Sequence, residues 1–173
     1  MPISALIIGI NKYASSDFHD LAGAVADANA FEEYLKHNLE VPPSNIISLR
    51  DEEASREAIL SGFASLRDNP KFGKGECAII IYFAGHGAQV EKPDEWKDWV
   101  TITGKIEMLC PSDIGLPSTT FIDGKEHQDK VPGIPDRTIS TYLNHISDAK
   151  GNNIVSLSIR CQAMIQPLIS PRH

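Results

Sequence analysis

The 173-residue chain has few cysteines, no surplus of basic charge and no long apolar run. Its three cysteines, Cys77, Cys110 and Cys161, are odd in number and lack close, regular spacing. That excludes the disulfide framework of a small secreted domain and points to a reducing compartment. Lys and Arg number 16 against 23 Asp and Glu, a net charge of −7. Such a chain has no basic face to neutralise phosphates, so nucleic acid is not an expected partner, and cationic partners or substrates are favoured. No apolar stretch approaches the roughly twenty residues of a membrane span. The leading Ser-Ala-Leu-Ile-Ile-Gly-Ile is short and without the basic residues of a signal peptide. We therefore expect a cytosolic or nuclear protein, the cytoplasm first, with no membrane partner.

Motifs for metals and nucleotides are missing too. His19, His37, His127, His145 and His173 lie far apart, and there is neither a His-Glu-x-x-His pair nor a Cys-x-x-Cys pair. Gly73-Lys-Gly-Glu lacks the hydroxyl that a phosphate-binding loop offers to magnesium, and Gly9-Ile-Asn-Lys is not a dinucleotide fingerprint.

What is present is a chain of ordinary globular composition, 42% hydrophobic and 23% charged. The length suits one domain, able to bury about two-thirds of its extended surface without disulfides or a structural metal. Ala5 to Ile10 is a continuous apolar run, the pattern of a strand covered on both faces. Ala24, Ala28, Phe31, Leu35 and Leu39 then recur at helical spacing from a start near Gly23. A second strand is expected at Asn45 to Arg50, a helix capped by Ser55 and carrying Ile59, Leu60, Phe63 and Leu66, and a third strand at Cys77 to Phe83. Strand, helix, strand, helix, strand predicts a mainly parallel sheet with helices on its faces. From Gly87 to about Pro135 the pattern dissolves, with one alternating piece at Trp99 to Leu109, and reads as an excursion with a hairpin. Asp136 is placed to cap a third helix bearing Ile139, Leu143 and Ile146, and Ile154 to Ile159 reads as a fourth strand.

The third strand runs straight into Gly85-His86-Gly87. Ligands of open parallel sheets gather at the carboxyl ends of the strands. Glycines on both sides would allow unusual backbone angles and the close approach of another chain. Two readings stay open from these residues alone: an imidazole presented to a substrate as general base for a nucleophile, or a flexible turn with a solvated ring.

The ordered segments resemble the caspase and metacaspase-like cysteine peptidases, particularly the fungal type. Ala-Leu-Ile-Ile-Gly-Ile-Asn-Lys-Tyr is similar to that family's first strand and its exit loop. Gly-Ala-Val-Ala-Asp-Ala-Asn-Ala-Phe-Glu-Glu-Tyr-Leu is similar to its first helix, and Ile-Ile-Ile-Tyr-Phe-Ala-Gly-His-Gly-Ala to its third strand. Leu-Cys-Pro-Ser-Asp-Ile and Ile-Pro-Asp-Arg-Thr-Ile resemble later landmarks. The resemblance implies a three-layer α/β/α sandwich with a mainly parallel sheet, and peptide hydrolysis by a Cys-His dyad. On that implication His86 is the general acid and base, Gly87 supplies a backbone N–H to the oxyanion, and the partner is a peptide or protein substrate.

The resemblance weakens after about residue 154. Cys161 falls where the nucleophile belongs, but Ile159 stands in the preceding acidic position and Gln162-Ala163-Met164 replaces His-Ser-Gly. Beside Arg160, Cys161 is either a thiol of lowered pKa or an inert small hydrophobe. We divide the chain into a caspase-like domain at 1–160 and a divergent tail at 161–173, with a sheet incomplete on its C-terminal side. A truncated or mis-translated product would account for the divergence, and the open sheet edge invites association with another chain. The alternative function is accordingly a catalytically inactive caspase-fold fragment acting as an interaction module. Asp27 matches a position that in metacaspases helps form a pocket for Arg or Lys, and otherwise reads as a solvated or capping carboxylate. Some metacaspases bind calcium; here Glu91, Asp94, Glu95 and Asp98 lack regular ligand spacing and read as a solvated loop, so no cofactor is expected.

Overall fold

The first strand, β1 (Ile3–Gly9), is buried from Ser4 onward. Successive side chains of a strand point to opposite faces, and here both faces are apolar: Leu6 and Ile8 enter one core cluster, Ala5 and Ile7 another. Two clusters require cover on both sides of the sheet. The helix α1 (Ala24–Asn38) supplies one through Ala24, Ala28 and Leu35. The helix α2 (Arg56–Asp68), with Ile59, Phe63 and Leu66, and α3 (Asp136–Lys150), with Ile146, supply the other. The result is the expected three-layer α/β/α arrangement. The computed structural model describes residues 1–93, 96–101, 103–122 and 125–162.

The main sheet adds β2 (Ile46–Arg50), β3 (Ala78–Glu91), β4 (Lys105–Leu109), β7 (Ile134–Pro135) and β8 (Ile154–Gln162), with β5 (Pro117–Ile122) and β6 (Lys125–Lys130) forming a separate hairpin. The strand order is β2-β1-β3-β4-β7, with β8 also on β3. β2, β1, β3 and β8 run parallel, whereas β4 and β7 pair antiparallel. Among the described residues no helix is long and apolar enough to cross a membrane.

Local signals explain the boundaries. Ser55 Oγ accepts the Ala58 N–H at 3.2 Å and opens α2. Pro135, in extended conformation, precedes α3, so Asp136 is the first helical residue rather than the cap. The third strand is longer than its apolar run, because β3 continues through Gly85-His86-Gly87 to Glu91. Its far end is held by β4, which accounts for the alternating piece foreseen before Leu109. A hairpin was expected in this excursion, and β5 with β6 forms one; its bounds were not foreseen, because the two strands lack the apolar alternation that betrays a half-buried pair.

Candidate active site

His86 sits where β3 changes partners. On one side β1 pairs with β3 as far as Gly9 opposite Ala84, and the Ile10 N–H still reaches the Ala84 carbonyl at 2.9 Å. On that same side β4 begins at Leu109 opposite Gly87, and the Cys110 N–H reaches the His86 carbonyl at 3.0 Å. The His86 N–H falls in the gap between the two strands. A buried N–H without an acceptor is costly, and here the phenolic oxygen of Tyr13 accepts it at 2.7 Å.

The loop leaving β1 also holds the imidazole, which is 6% exposed. Nε2 lies 2.7 Å from the His19 carbonyl. A carbonyl only accepts, so Nε2 carries the proton, and in the neutral ring Nδ1 is left as the basic nitrogen. The Tyr13 and Phe18 rings lie 4.9 and 6.3 Å from the imidazole, centroid to centroid. The loop itself is anchored elsewhere: the Asp51 carboxylate accepts the N–H groups of Asn11 at 2.7 Å and Lys12 at 2.9 Å. Asn11 Oδ1 accepts the Val25 N–H at 3.2 Å, and the Ala14 N–H donates to the Ser112 carbonyl at 2.9 Å.

Of the two purposes expected of the glycines beside His86, unusual backbone angles and close approach, the second holds at Gly85. Both lie within the strand and neither has a positive φ. At Gly85 the reason is space, since a Cβ there would stand 2.9 Å from Phe83 Cζ and 3.0 Å from Tyr13 Oη. Close approach, and not unusual backbone angles, is what the sequence motif encodes.

Cys161 stands opposite His86 in the parallel register of β8 on β3, and Gln162 opposite Gly87. Neighbouring strands lie about 4.8 Å apart, so the two positions named from the sequence come together on one rung. The side chains of residues 160 to 162 are not among those described, and the rest of the tail, 163 to 173, lies outside the described residues. The other thiols are placed differently. Cys77 and Cys110 are buried, and burial pushes the Cys77 thiol up from its ordinary range.

Asp27 lies exposed in the first turn of α1. It lines a small hollow of about 120 Å³ with Leu21, Gly23, Ala84, Gly85 and Ile159. The hollow adjoins the His86 rung, and Asp27 and Ile159 both line it. Burial raises the pKa of the nearby Tyr82 phenol, and the Asp27 charge adds to the rise. A shallower hollow of about 380 Å³ lies against Met1, Pro2 and Ile3, at the opposite end of the strands. Of the acidic run beyond the histidine, Asp94 and Glu95 lie outside the described residues, and Glu91 is exposed. Among the described residues no three His, Cys, Asp or Glu side chains are grouped to hold a metal.

Sequence reasoning missed Tyr13, His19 and Asp51 as supports of His86. The tyrosine stood in a quoted landmark, but a carbonyl or hydroxyl at a strand's end carries no signal until the loop's path is known.

The caspase domain family matches residues 4–149, and the chain belongs to that family of cysteine peptidases. No functionally curated protein matches the sequence. Among solved structures, a Geobacter sulfurreducens protein is similar, with a TM-score of 0.60 at 16% identity. The match covers 94% of this chain and 50% of that one, so the chain spans about half the length of the structure it resembles.

Proposed function

We infer that the chain is a cysteine-type endopeptidase domain of the cytoplasm, hydrolysing peptide bonds with Cys161 and His86 and cutting after Arg or Lys. The register that sets Cys161 opposite His86 carries this reading. Nδ1 of His86 takes the thiol proton, and the thiolate attacks the scissile carbonyl. The backbone N–H of Gly87 holds the developing oxyanion. The imidazolium then gives its proton to the leaving amine, and water, deprotonated by the same ring, releases the acyl group from sulfur. Asp27, in the hollow beside Gly85, binds the substrate cation. With Ile159 also lining that hollow, a single carboxylate makes that preference, and no cofactor takes part.

The test combines a thiol-reactive peptide probe with reporter peptides ending in Arg or Asp. Labelling abolished by both Cys161→Ser and His86→Ala, with faster cleavage after Arg, is the expected result. Labelling that ignores His86 refutes the dyad, and equal cleavage after Arg and Asp refutes the role of Asp27.

One observation favours a second reading, a caspase-fold interaction module. Val155, Leu157 and Ile159 of β8 are 50%, 42% and 51% exposed, and among the described residues β8 pairs only with β3. An edge strand with an apolar face invites another strand. Concentration-dependent association that disappears in Leu157→Lys, in a chain whose labelling ignores His86, would select this reading.

A further inference from the structure

Among the described residues, the rungs of β3 with β1 end at Ala84 and those with β4 begin at Gly87, so no rung of either strand reaches His86 on that side. The phenolic oxygen of Tyr13 takes that place at 2.7 Å. Gly85 leaves room for it, because a Cβ would crowd the oxygen at 3.0 Å. The same loop carries His19, whose carbonyl fixes which imidazole nitrogen bears the proton. Asp51 fastens the loop's start, at Asn11 and Lys12, to the end of β2. This residue itself adopts a left-handed backbone, φ 43°, a region that Asp enters more readily than most side chains.

We propose that Tyr13 is a positioning residue for His86. Its hydroxyl bridges the break in the sheet, ties the β1 exit loop to β3, and so keeps the imidazole in the Nε2–H form with Nδ1 turned to its task. The role in catalysis rests on the dyad reading above; the effect on the histidine does not. Tyr13 touches no reacting atom in this account and acts through the histidine alone.

Two variants, alone and combined, and three measurements test the proposal. Tyr13→Phe keeps the ring that packs on His86 and Phe18 and removes only the oxygen. Gly85→Ala leaves the tyrosine and pushes its hydroxyl away. Nitrogen-15 NMR of the imidazole reports the tautomer, and hydrogen exchange reports the His86 amide, whether or not the chain cleaves peptides. We expect the wild type to be predominantly Nε2–H with a slowly exchanging amide. In Tyr13→Phe the tautomers mix and the amide exchanges about tenfold faster, as loss of a buried acceptor demands. Gly85→Ala reproduces both changes, and on the Tyr13→Phe background it adds nothing to them. Against a reporter peptide, kcat falls about tenfold or more in Tyr13→Phe while KM holds, the mark of a misplaced catalytic group rather than a damaged binding surface. An unchanged tautomer and amide in Tyr13→Phe would overturn the proposal, as would unchanged kcat in a chain whose wild type cleaves. A wild type that cleaves nothing, with the NMR changes intact, would overturn the dyad and leave the positioning of His86 standing.

Discussion

β3 has a covered flank and an open one. Beside it on one side, Leu6, Ile7 and Ile8 of β1 are fully buried, with α1 over one face and α2 over the other. On the other side β8 follows β3 for nine rungs, yet Val155, Leu157 and Ile159 each keep two-fifths or more of their surface in water. β8 matches the apolar content of β1 on one face, through Val155, Leu157 and Ile159, so pairing does not settle burial. A strand is buried by what packs across its faces. Among the described residues, α1 makes that contact with β1 and β3, and α3 reaches β4 and β7. His86 lies on the boundary between these regimes, its imidazole fixed by the covered side and its rung partner, Cys161, supplied by the open one.

The comparison can be broken most directly by truncating one leucine from each flank. Leu6→Ala removes a fully buried side chain packed in the larger core, and should destabilise the fold by about 2–5 kcal/mol in urea denaturation. Leu157→Ala, at a position 42% exposed, should cost less than about 1 kcal/mol. Equal losses would mean that the open flank is covered in solution.

Adding a methyl group to the covered flank is the next largest perturbation. A Cβ at Gly9 would stand 2.6 Å from the Ala28 Cβ and 2.9 Å from the Ala24 carbonyl. Gly9→Ala therefore forces α1 off β1, and overpacking of this kind costs about 1–3 kcal/mol. A midpoint unchanged from wild type would show that α1 sits less firmly on the strand than this contact requires.

The thiols give the smallest effect and the sharpest contrast. Burial raises the Cys77 pKa in the folded chain, so the protonated thiol is the form the fold favours. Its contribution to stability is complete below the unfolded thiol's pKa and is lost as pH rises through the folded value. Stability should thus decline on raising the pH from neutrality through the ordinary thiol range, and decline less steeply in Cys77→Ala. In the native chain at pH 8, iodoacetamide should modify Cys161 while sparing Cys77 and Cys110, the two buried thiols. Modification of Cys77 at the rate of a free peptide thiol would contradict its place in the core.

Much of the covered flank was legible beforehand. The unbroken run from Ala5 to Ile10 and the helical recurrence of Ala24, Ala28 and Leu35 announced a strand between two layers, and these residues occupy both cores. Ser55 announced its helix because the bond it makes, accepting the Ala58 N–H, is local in sequence. The ends of elements were harder to place. β3 outran its apolar stretch because β4 holds its far half, and a strand secured by a partner distant in sequence has no signature in its own residues. The site divided in the same way. His86, Cys161 and Asp27 could be singled out by residue type and by resemblance, and the fold brings the first two onto one rung and puts the third in the adjoining hollow. Tyr13 and the His19 carbonyl could not be found, because their partners lie 73 and 67 residues away.

Alternation and helical period, then, were sufficient to determine the layers and the mainly parallel sheet, since both depend on where apolar side chains recur along the chain, while the resemblance of ordered motifs pointed to the family. Register, partner changes and the state of the imidazole were decided only by the tertiary structure. Those follow from which backbone groups find acceptors, and a hydroxyl filling the gap between two strands can be recognised only once both strands are in place.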